Sequence, residues 1–250
     1  MATMKLGCAQ MHVNFENIDA NLENAKELIF QAKRNKVDTV IFPEMFATGF
    51  TLNTKIAQGE NDSILRFLKQ EAVDNKINII AGYMSAATLR PFNSAVAIDR
   101  KGEIIARYSK INLFKPQNEH NVLSAGGSTV VFDLEGVNIS LFICFDLRFP
   151  NIYREVAKQS DVMITIAAWP LERQQHFETL LEARAIENQC YSIGVNQVGV
   201  CNGVEYGGGS AFISPKGVPL VRKYSDEGIA FANIDTDKVE LTRRAFPVLD

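Results

Sequence analysis

The sequence predicts an α/β fold in which helices cover a mixed β-sheet, and three observations support this. Short apolar runs typical of buried strands alternate with longer segments whose apolar residues recur at helical spacing. Two pairs of strand-like segments are joined by turn residues typical of hairpins, which indicates antiparallel as well as parallel neighbours. The length of 250 residues and the 46% of apolar residues fit one large domain, which we expect over residues 4–250.

Patterns in the first half of the sequence predict five helices and strands, followed by a hairpin. The helix after the first strand is amphipathic, because Ile18, Leu22 and Ile29 recur on one face. The hairpin turn is Arg100-Lys101-Gly102. In chain order, the predicted elements are a strand over 5–11, a helix over 17–35, a strand over 39–42, a helix over 63–75, and strands over 77–83, 94–99 and 103–108.

The second half repeats this arrangement of strands, helices and a hairpin. Glu135-Gly136 is the second hairpin turn, and Pro150 suits the first turn of a helix. We expect the segment from Arg243 to Leu249 to be a tail packed on the body or on a partner subunit. The predicted elements are strands over 130–134 and 137–144, a helix over 150–158, a strand over 162–168, a helix over 173–188, and strands over 191–196, 210–214 and 228–234.

Cys144 is the most informative residue of the chain. It ends an apolar strand and is followed at once by a turn that enters a helix. A thiol at such a corner lies beside helix N–H groups, which favour a thiolate. The arrangement is that of a nucleophile elbow with Cys in place of Ser, although a Cys after a strand is more often a small buried apolar residue.

Two other charged residues follow predicted strands. Glu44 comes after Val40-Ile41-Phe42-Pro43, and Lys110 follows the strand that ends near Tyr108. Each alone is typical of an exposed loop. Together with Cys144, they predict a general base, an oxyanion-stabilising cation and a nucleophile at strand ends.

At this point the sequence resembles the nitrilase superfamily of carbon–nitrogen hydrolases. The segments Phe42-Pro43-Glu44, Ser109-to-Phe114 and Ile143-to-Pro150 are similar to the three signature segments of that family, in the same order. Glu119 stands where the family places a second glutamate. Many members carry His two residues after the lysine, whereas this chain has Asn112.

The resemblance implies a four-layer α-β-β-α sandwich of two mixed sheets (nitrilase-type), and a homodimer. It also implies the catalytic residues Glu44, Lys110, Glu119 and Cys144, with no cofactor. Glu44 would act as general base, and Lys110 with the backbone N–H of Phe145 would stabilise the oxyanion of an acyl-thioester pathway. Glu119 would fix Lys110 and the hydrolytic water.

The segments over 44–50 and 168–170 are similar to the bacterial omega-amidase branch of the family. This resemblance implies hydrolysis of the terminal amide of small 2-oxo acid amides, such as 2-oxoglutaramate and 2-oxosuccinamate. We expect Arg173, with Arg148 as second candidate, to hold the distal carboxylate of the substrate. The other residues expected near the substrate are Phe46, Phe50, Trp169 and His176.

Composition limits the other functions. The net charge of −3 and the lack of Lys/Arg-rich blocks argue against nucleic acid and membrane surfaces as partners. The three histidines and four cysteines lack metal-ligand spacing, so we expect no metal site. Unpaired cysteine spacing favours reduced thiols in the cytoplasm. Gly207-Gly208-Gly209 precedes a strand and is therefore interpreted as a turn or bulge.

Three alternatives remain open at the level of sequence. The chain could be another enzyme of the same architecture: an N-carbamoyl hydrolase, a general aliphatic amidase or a nitrilase. It could be a catalytically silent binding scaffold, although retention of all four catalytic residues argues against this. A Cys–His hydrolase would need His120 or His176 as base, which the family pattern does not supply.

Overall fold

The computed structural model describes residues 2–249, so Asp250, with which the predicted domain ends, lies outside the described residues. Its helices are α1 (Ile18–Arg34), α2 (Ser63–Asn75), α3 (Glu119–Val122), α4 (Pro150–Val156), α5 (Gln174–Asn188) and α6 (Thr236–Ala245). Its strands are β1 (Thr3–Gln10), β2 (Thr39–Ile41), β3 (Asn78–Ser85), β4 (Phe92–Ile98), β5 (Ile104–Ser109), β6 (Val131–Leu134), β7 (Val137–Ile143), β8 (Val162–Ala167), β9 (Tyr191–Asn196), β10 (Val198–Cys201), β11 (Val204–Ile213), β12 (Pro219–Tyr224) and β13 (Gly228–Asp235).

The strands form two mixed sheets. The first has the order β13-β1-β2-β3-β4-β5, in which β1, β2 and β3 are parallel and the other pairs are antiparallel. The second has the order β10-β11-β9-β8-β7-β6, with β12 paired to β11, and its parallel strands are β7, β8 and β9. The mixture follows from the predicted alternation of helical crossovers and hairpins.

The sheets pack face to face, and each carries helices on its outer face. Because side chains alternate along a strand, neighbouring residues enter different cores. Val40 and Phe42 face α1 and α2, while Ile41 between them faces the second sheet. Likewise, Phe142 faces α4 and α5, while Ile143 lies between the sheets. This gives the α-β-β-α order that the family resemblance implied.

Several strands end at one edge of the paired sheets. β2 and β5 run in the same direction, because two antiparallel steps separate β5 from β3, which is parallel to β2. Glu44 and Lys110 follow these two strands, and Cys144 follows β7. The carboxylate of Glu44, the ammonium of Lys110 and the thiol of Cys144 therefore lie at the same edge of the paired sheets.

Four elements were not predicted from the sequence, and one of them is α3, which is only four residues long. β12 is an edge strand whose residues are exposed or half-buried, so it has no clear alternation of apolar and polar residues. β10 is only four residues long. In α6 only Val239 is buried, which leaves no apolar stripe to recognise. Arg243 of α6 donates to the carbonyls of Ala157 and Ser160, so this part of the C-terminal segment packs on the body.

The predicted bulge at the glycine run is confirmed, within a longer strand than expected. Gly208 and Gly209 lie inside β11 with φ angles of +70° and +77°, and the register with β12 shifts at this point. A Cβ on Gly208 would lie 2.4 Å from the amide of Gln10. Only glycine fits this approach without displacing Gln10.

Candidate active site

Glu44 lies at the end of β2, and the backbone around it is tightly constrained. Pro43 ends the strand, and Met45 has a left-handed φ of +46°. A Cβ on Gly82 of the neighbouring strand would lie 2.7 Å from the Glu44 Cα. The backbone of Glu44 is therefore held against β3, and its side chain is fully buried.

Lys110 joins two buried carboxylates. Its Nζ lies 2.9 Å from Glu44 Oε1 and 3.0 Å from Glu119 Oε2, with all three side chains removed from solvent. Burial by itself would lower the pKa of Lys110, but the carboxylates of Glu44 and Glu119 outweigh burial and raise it. Lys110 therefore stays charged near neutral pH, where the three groups together carry one excess negative charge if both carboxyls are ionised.

Glu119 also anchors the loop that follows the lysine. It is the first residue of α3, and its Oε2 accepts a hydrogen bond of 2.5 Å from the backbone N–H of Phe114. Its other oxygen is 3.3 Å from Lys110 Nζ. The second glutamate thus binds both the ammonium and the chain leading away from it.

A residue that sequence reasoning missed bridges the two carboxylates. The Nδ2 of Asn93 donates to Glu44 Oε1 at 2.7 Å and to Glu119 Oε1 at 2.8 Å. Asn93 is fully buried near the start of β4. No motif marked it, because an Asn at the start of a strand is an ordinary feature of a sequence.

Cys144 occupies the corner after β7, as the sequence indicated. It has a left-handed φ of +46° and opens a 3₁₀ turn over Cys144–Arg148, which α4 follows. Its Sγ lies 3.9 Å from the carbonyl oxygen of Ala168, whose N–H donates to Glu44 Oε2 at 2.9 Å. The thiol and the carboxylate therefore contact the two backbone groups of one residue, Ala168.

The expectation that the turn favours a resting thiolate is wrong. Burial raises the pKa of Cys144 well above its usual value, and the hydrogen-bonded Glu44 carboxylate raises it further. Lys110 lowers it, but too little to compensate. A short 3₁₀ turn also has a weaker dipole than a long helix. Cys144 therefore favours its neutral thiol form, and forming a thiolate there requires a base.

Asp146 fastens the cysteine turn to the lysine loop. Its carboxylate accepts hydrogen bonds from the Tyr108 hydroxyl at 2.7 Å, from the backbone N–H of Asn112 at 2.8 Å and from that of Ile143 at 3.1 Å. The side-chain amide of Asn112 adds a bond of 3.0 Å. Asn112, at the position where many family members have His, therefore helps to hold the lysine loop against the cysteine turn.

A small pocket opens above this buried cluster. Five of its thirteen lining residues are aromatic, and Arg148 and Arg173 are also among them. The pocket is lined by Glu44, Phe50, Lys110, Phe114, Gln117, Cys144, Phe145, Arg148, Ala168, Trp169, Pro170, Arg173 and Tyr206.

The two pocket arginines lie close enough to affect each other. Burial lowers the pKa of Arg148, and the nearby positive charge of Arg173 lowers it further. The Arg148 guanidinium lies 4.8 Å from the Trp169 ring centroid and 3.1 Å from Nδ1 of His176. The Arg173 guanidinium lies 5.9 Å from the Phe114 ring centroid and is paired with exposed Glu172. Such a pair favours an anionic ligand.

Of the other predicted pocket residues, some line the pocket and some do not. Phe50 and Trp169 line the pocket, and the indole N–H of Trp169 donates to the Arg173 carbonyl at 2.8 Å. Phe46 does not line it. Its ring packs 5.0 Å from that of Phe42 in the core under α1 and α2, because the left-handed turn at Met45 directs the chain back inward. His176 also lies outside the lining, and its ring contacts Arg148.

Five further lining residues were not predicted from the sequence, and two of them, Ala168 and Pro170, flank the predicted Trp169. Phe114 belongs to the lysine signature segment, so that segment already held a signal for it. Gln117 lies in the 3₁₀ turn that follows, and Tyr206 lies in β11, far along the chain. Only tertiary folding brings Tyr206 to the pocket.

Two other kinds of feature are absent from residues 2–249. Over this range no group of three or more His, Cys, Asp or Glu side chains is arranged to hold a metal ion. Among the helices of the same residues, none is both long and apolar enough to cross a membrane.

Comparison with known proteins agrees with this geometry. The sequence model of the carbon–nitrogen hydrolase family matches residues 5–244. A 2-oxoglutaramate amidase of Bacillus subtilis (strain 168) is 33% identical over 98% of this chain and 96% of its own. The omega-amidase YafV of Yersinia enterocolitica is 30% identical over 99% of this chain and 96% of its own.

A solved structure gives the same result for the fold. The protein XC1258 of Xanthomonas campestris, described as a CN-hydrolase superfamily protein with an arsenic adduct in the active site, superimposes with a TM-score of 0.94. It is 27% identical, and the match covers 100% of this chain and 97% of that one. The chain therefore belongs to the carbon–nitrogen hydrolase family, within the nitrilase superfamily, and is an enzyme that hydrolyses non-peptide amide bonds.

Proposed function

We propose that the enzyme hydrolyses the terminal amide of small 2-oxo acid amides, such as 2-oxoglutaramate and 2-oxosuccinamate, to the oxo diacid and ammonia. One observation carries the proposal. Buried Glu44 and Lys110 and half-buried Cys144 lie at a small pocket that is also lined by aromatic side chains and by Arg148 and Arg173. The amidases similar to this chain include enzymes named for the same substrate.

In the first step Glu44 removes the thiol proton of Cys144 as its Sγ attacks the amide carbonyl carbon. The raised pKa of Cys144 makes this base necessary near neutral pH. The S–C bond forms, and the carbonyl π electrons move to oxygen. The ammonium of Lys110 and the backbone N–H of Phe145, at the start of the 3₁₀ turn, stabilise the oxyanion.

In the second step the tetrahedral intermediate collapses. The C–N bond breaks, Glu44 returns the proton to the departing nitrogen, and ammonia leaves. Water then attacks the acyl-thioester, with Glu44 again taking a proton, and the thiol leaves with that proton. Glu119 holds Lys110 through both steps by the 3.0 Å contact. One water is consumed, and no oxidant or cofactor enters the balance.

Recognition of the acid end falls to the pocket arginines. A five-carbon oxo-amide has its carboxylate at the far end from the reacting amide. Arg173, with Arg148 beside it, supplies guanidinium donors suited to a carboxylate. Phe50, Phe114 and Trp169 pack on the short chain between the two ends.

The test is ammonia release from 2-oxoglutaramate by the wild type, by Cys144→Ala and by the matched control Cys190→Ala. Cys190 is a buried free thiol outside the pocket. We expect release by the wild type and Cys190→Ala and none by Cys144→Ala. No release by the wild type, with release from a neutral amide or an N-carbamoyl compound, would overturn the substrate assignment and leave the hydrolase standing.

We also propose that the chain is one domain over residues 4–250 and acts as a cytoplasmic homodimer. Four free cysteines suit a reducing compartment. Ile186, Val218 and Leu220 are exposed apolar residues on α5 and the nearby β11–β12 hairpin, and could pack against a second copy. Light scattering after size-exclusion chromatography tests the dimer. A monomeric mass for the wild type would refute it.

A further inference from the structure

We infer that Asn93 is a positioning residue of the reaction, which holds Glu44 and Glu119 in place and leaves one particular oxygen of Glu44 to carry the proton. The inference rests on the proposed role of Glu44 as general base. It concerns a residue in β4, outside the segments that carry the family resemblance. Asn93 does not line the pocket, so it acts through the carboxylates.

The geometry is that of one amide group shared by two carboxylates. The two hydrogens of Asn93 Nδ2 are directed to Glu44 Oε1 at 2.7 Å and to Glu119 Oε1 at 2.8 Å. All three side chains are completely buried. Lys110 contacts the same carboxylates, so the pair of glutamates is held by two donors, one charged and one neutral.

The orientation of the amide is set by charge. Its Oδ1 is buried without a hydrogen-bond partner. Rotating the amide by half a turn would place this oxygen against two carboxylate oxygens, which repel it. In the native orientation both amide hydrogens of Asn93 therefore bind the glutamates, and its Oδ1 is left without a hydrogen-bond donor.

A neutral donor suits this position better than a second cation. With both carboxyls ionised, the cluster has one excess negative charge, which Asn93 stabilises without cancelling it. A second ammonium would neutralise the cluster and weaken the tendency of Glu44 to take a proton. The amide keeps the base in place while keeping it basic.

The hydrogen bonds also distinguish the two oxygens of Glu44. Oε1 accepts from Asn93 at 2.7 Å and from Lys110 at 2.9 Å, so both its acceptor directions are used. Oε2 accepts only from the Ala168 N–H, at 2.9 Å, and Ala168 is also the residue whose carbonyl contacts Cys144 Sγ. The thiol proton therefore goes to Oε2 and leaves from it.

Asn93 is tied to the lysine by its backbone as well. The backbone N–H of Lys110 donates to the Asn93 carbonyl at 2.8 Å, directly beyond the pairing of β4 with β5. One residue thus fixes where the lysine enters the site and where both carboxylates point. This double role follows from the hairpin, which brings Asn93 beside Lys110.

The experiment compares Asn93→Ala and Asn93→Ser with the matched control Asn78→Ala. Asn78 is a buried asparagine of the same sheet whose amide contacts Thr39 and Glu135, outside the site. Two pH profiles are measured: kcat/KM for ammonia release from 2-oxoglutaramate, and the rate at which iodoacetamide alkylates Cys144, read by peptide mass. The second needs no substrate assignment.

For Asn93→Ala we expect at least about a tenfold lower kcat with little change in KM, and an acid limb displaced by about one pH unit to higher pH in both profiles, since the carboxylate loses a donor that favours its charged form. Asn93→Ser keeps one donor and should shift the limb less. Asn93→Ser also provides the test if Asn93→Ala does not fold. Asn78→Ala should lose thermal stability but keep the wild-type limb.

Unshifted limbs in folded Asn93 variants, or the same shift in Asn78→Ala, would overturn the inference. A wild type that releases no ammonia would refute the proposed substrate alone, because the alkylation profile would still decide the role of Asn93.

Discussion

The floor and the mouth of the pocket are built in opposite ways. On the floor, Glu44, Lys110 and Glu119 have no exposed surface and bind one another. At the mouth, Arg148 and Arg173 are partly exposed. Their guanidinium groups lie over the aromatic rings of Trp169 and Phe114, respectively. With both carboxyls ionised the floor has one excess negative charge, whereas the mouth is positive. The difference indicates that the chemistry is fixed by a closed network, while substrate choice depends on a few replaceable side chains.

Breaking the floor at the base should have the largest effect. Glu44→Gln keeps the shape but cannot take the thiol proton, so we expect kcat to fall by about 10²- to 10⁴-fold with little change in KM. Glu71→Gln, at a buried carboxylate of α2, is the matched control and should retain wild-type kcat. Full turnover by Glu44→Gln would refute its role as base.

Removing the cation of the floor should cost stability. Lys110→Met leaves two buried carboxylates without a cation, so we expect the free energy of unfolding to fall by about 3–5 kcal/mol at pH 7. Because the carboxylates raise the pKa of Lys110, the wild type keeps this stabilisation at neutral pH and loses it only in strongly alkaline solution.

The pH dependence of the variant sharpens this test. Uncompensated buried carboxylates favour their protonated forms, so the deficit of Lys110→Met should shrink as the pH falls toward 4. Urea unfolding at several pH values measures it, with the exposed Lys101→Met as control. A deficit that does not change with pH would indicate lost packing instead of lost charge.

Changing the mouth should alter selectivity more than chemistry. For Arg173→Ala we expect kcat/KM for 2-oxoglutaramate to fall about 10- to 100-fold, the value of one hydrogen bond between charged groups. Hydrolysis of a neutral amide such as valeramide should fall less than about threefold, since it makes no such bond. Arg34→Ala, at an exposed arginine of α1, is the control. Equal losses on both substrates would refute carboxylate recognition by Arg173.

The smallest effect is expected at His176. Its only described role is the 3.1 Å contact with Arg148, at an exposed position. We expect His176→Ala to raise KM for 2-oxoglutaramate by about two- to threefold without changing kcat, as is typical of exposed polar contacts. A large loss of kcat would place His176 in the chemistry.

The sequence predicted the parts of the floor that belong to strand ends. Glu44, Lys110 and Cys144 each follow an apolar run, and strand direction then brings them to one edge. Asn93 could not be predicted, because its role depends on the pairing of β4 with β5 and not on its neighbours in the chain. The direction of the Cys144 pKa shift was likewise predicted wrongly, since burial and the Glu44 charge are properties of the folded site.

The mouth was predicted less well, for the same physical reason. Periodicity indicated that Arg173 and His176 share a face, yet only Arg173 lines the pocket, because it precedes the first turn of α5. Phe46 and Phe50 are four residues apart on one loop, and the left-handed Met45 sends the first into the core. Backbone turns of this kind decide which side of a loop becomes a binding surface.

The left-handed backbone at Cys144 implies a conflict between activity and folding. For a residue with a Cβ this conformation is unfavourable by about 1–2 kcal/mol, whereas glycine adopts it freely. The nucleophile is thus held in place by the rest of the molecule against its own local preference. Replacing Cys144 by glycine would remove this conformational cost together with the thiol, so the backbone geometry that presents the sulfur is one that the residue itself disfavours.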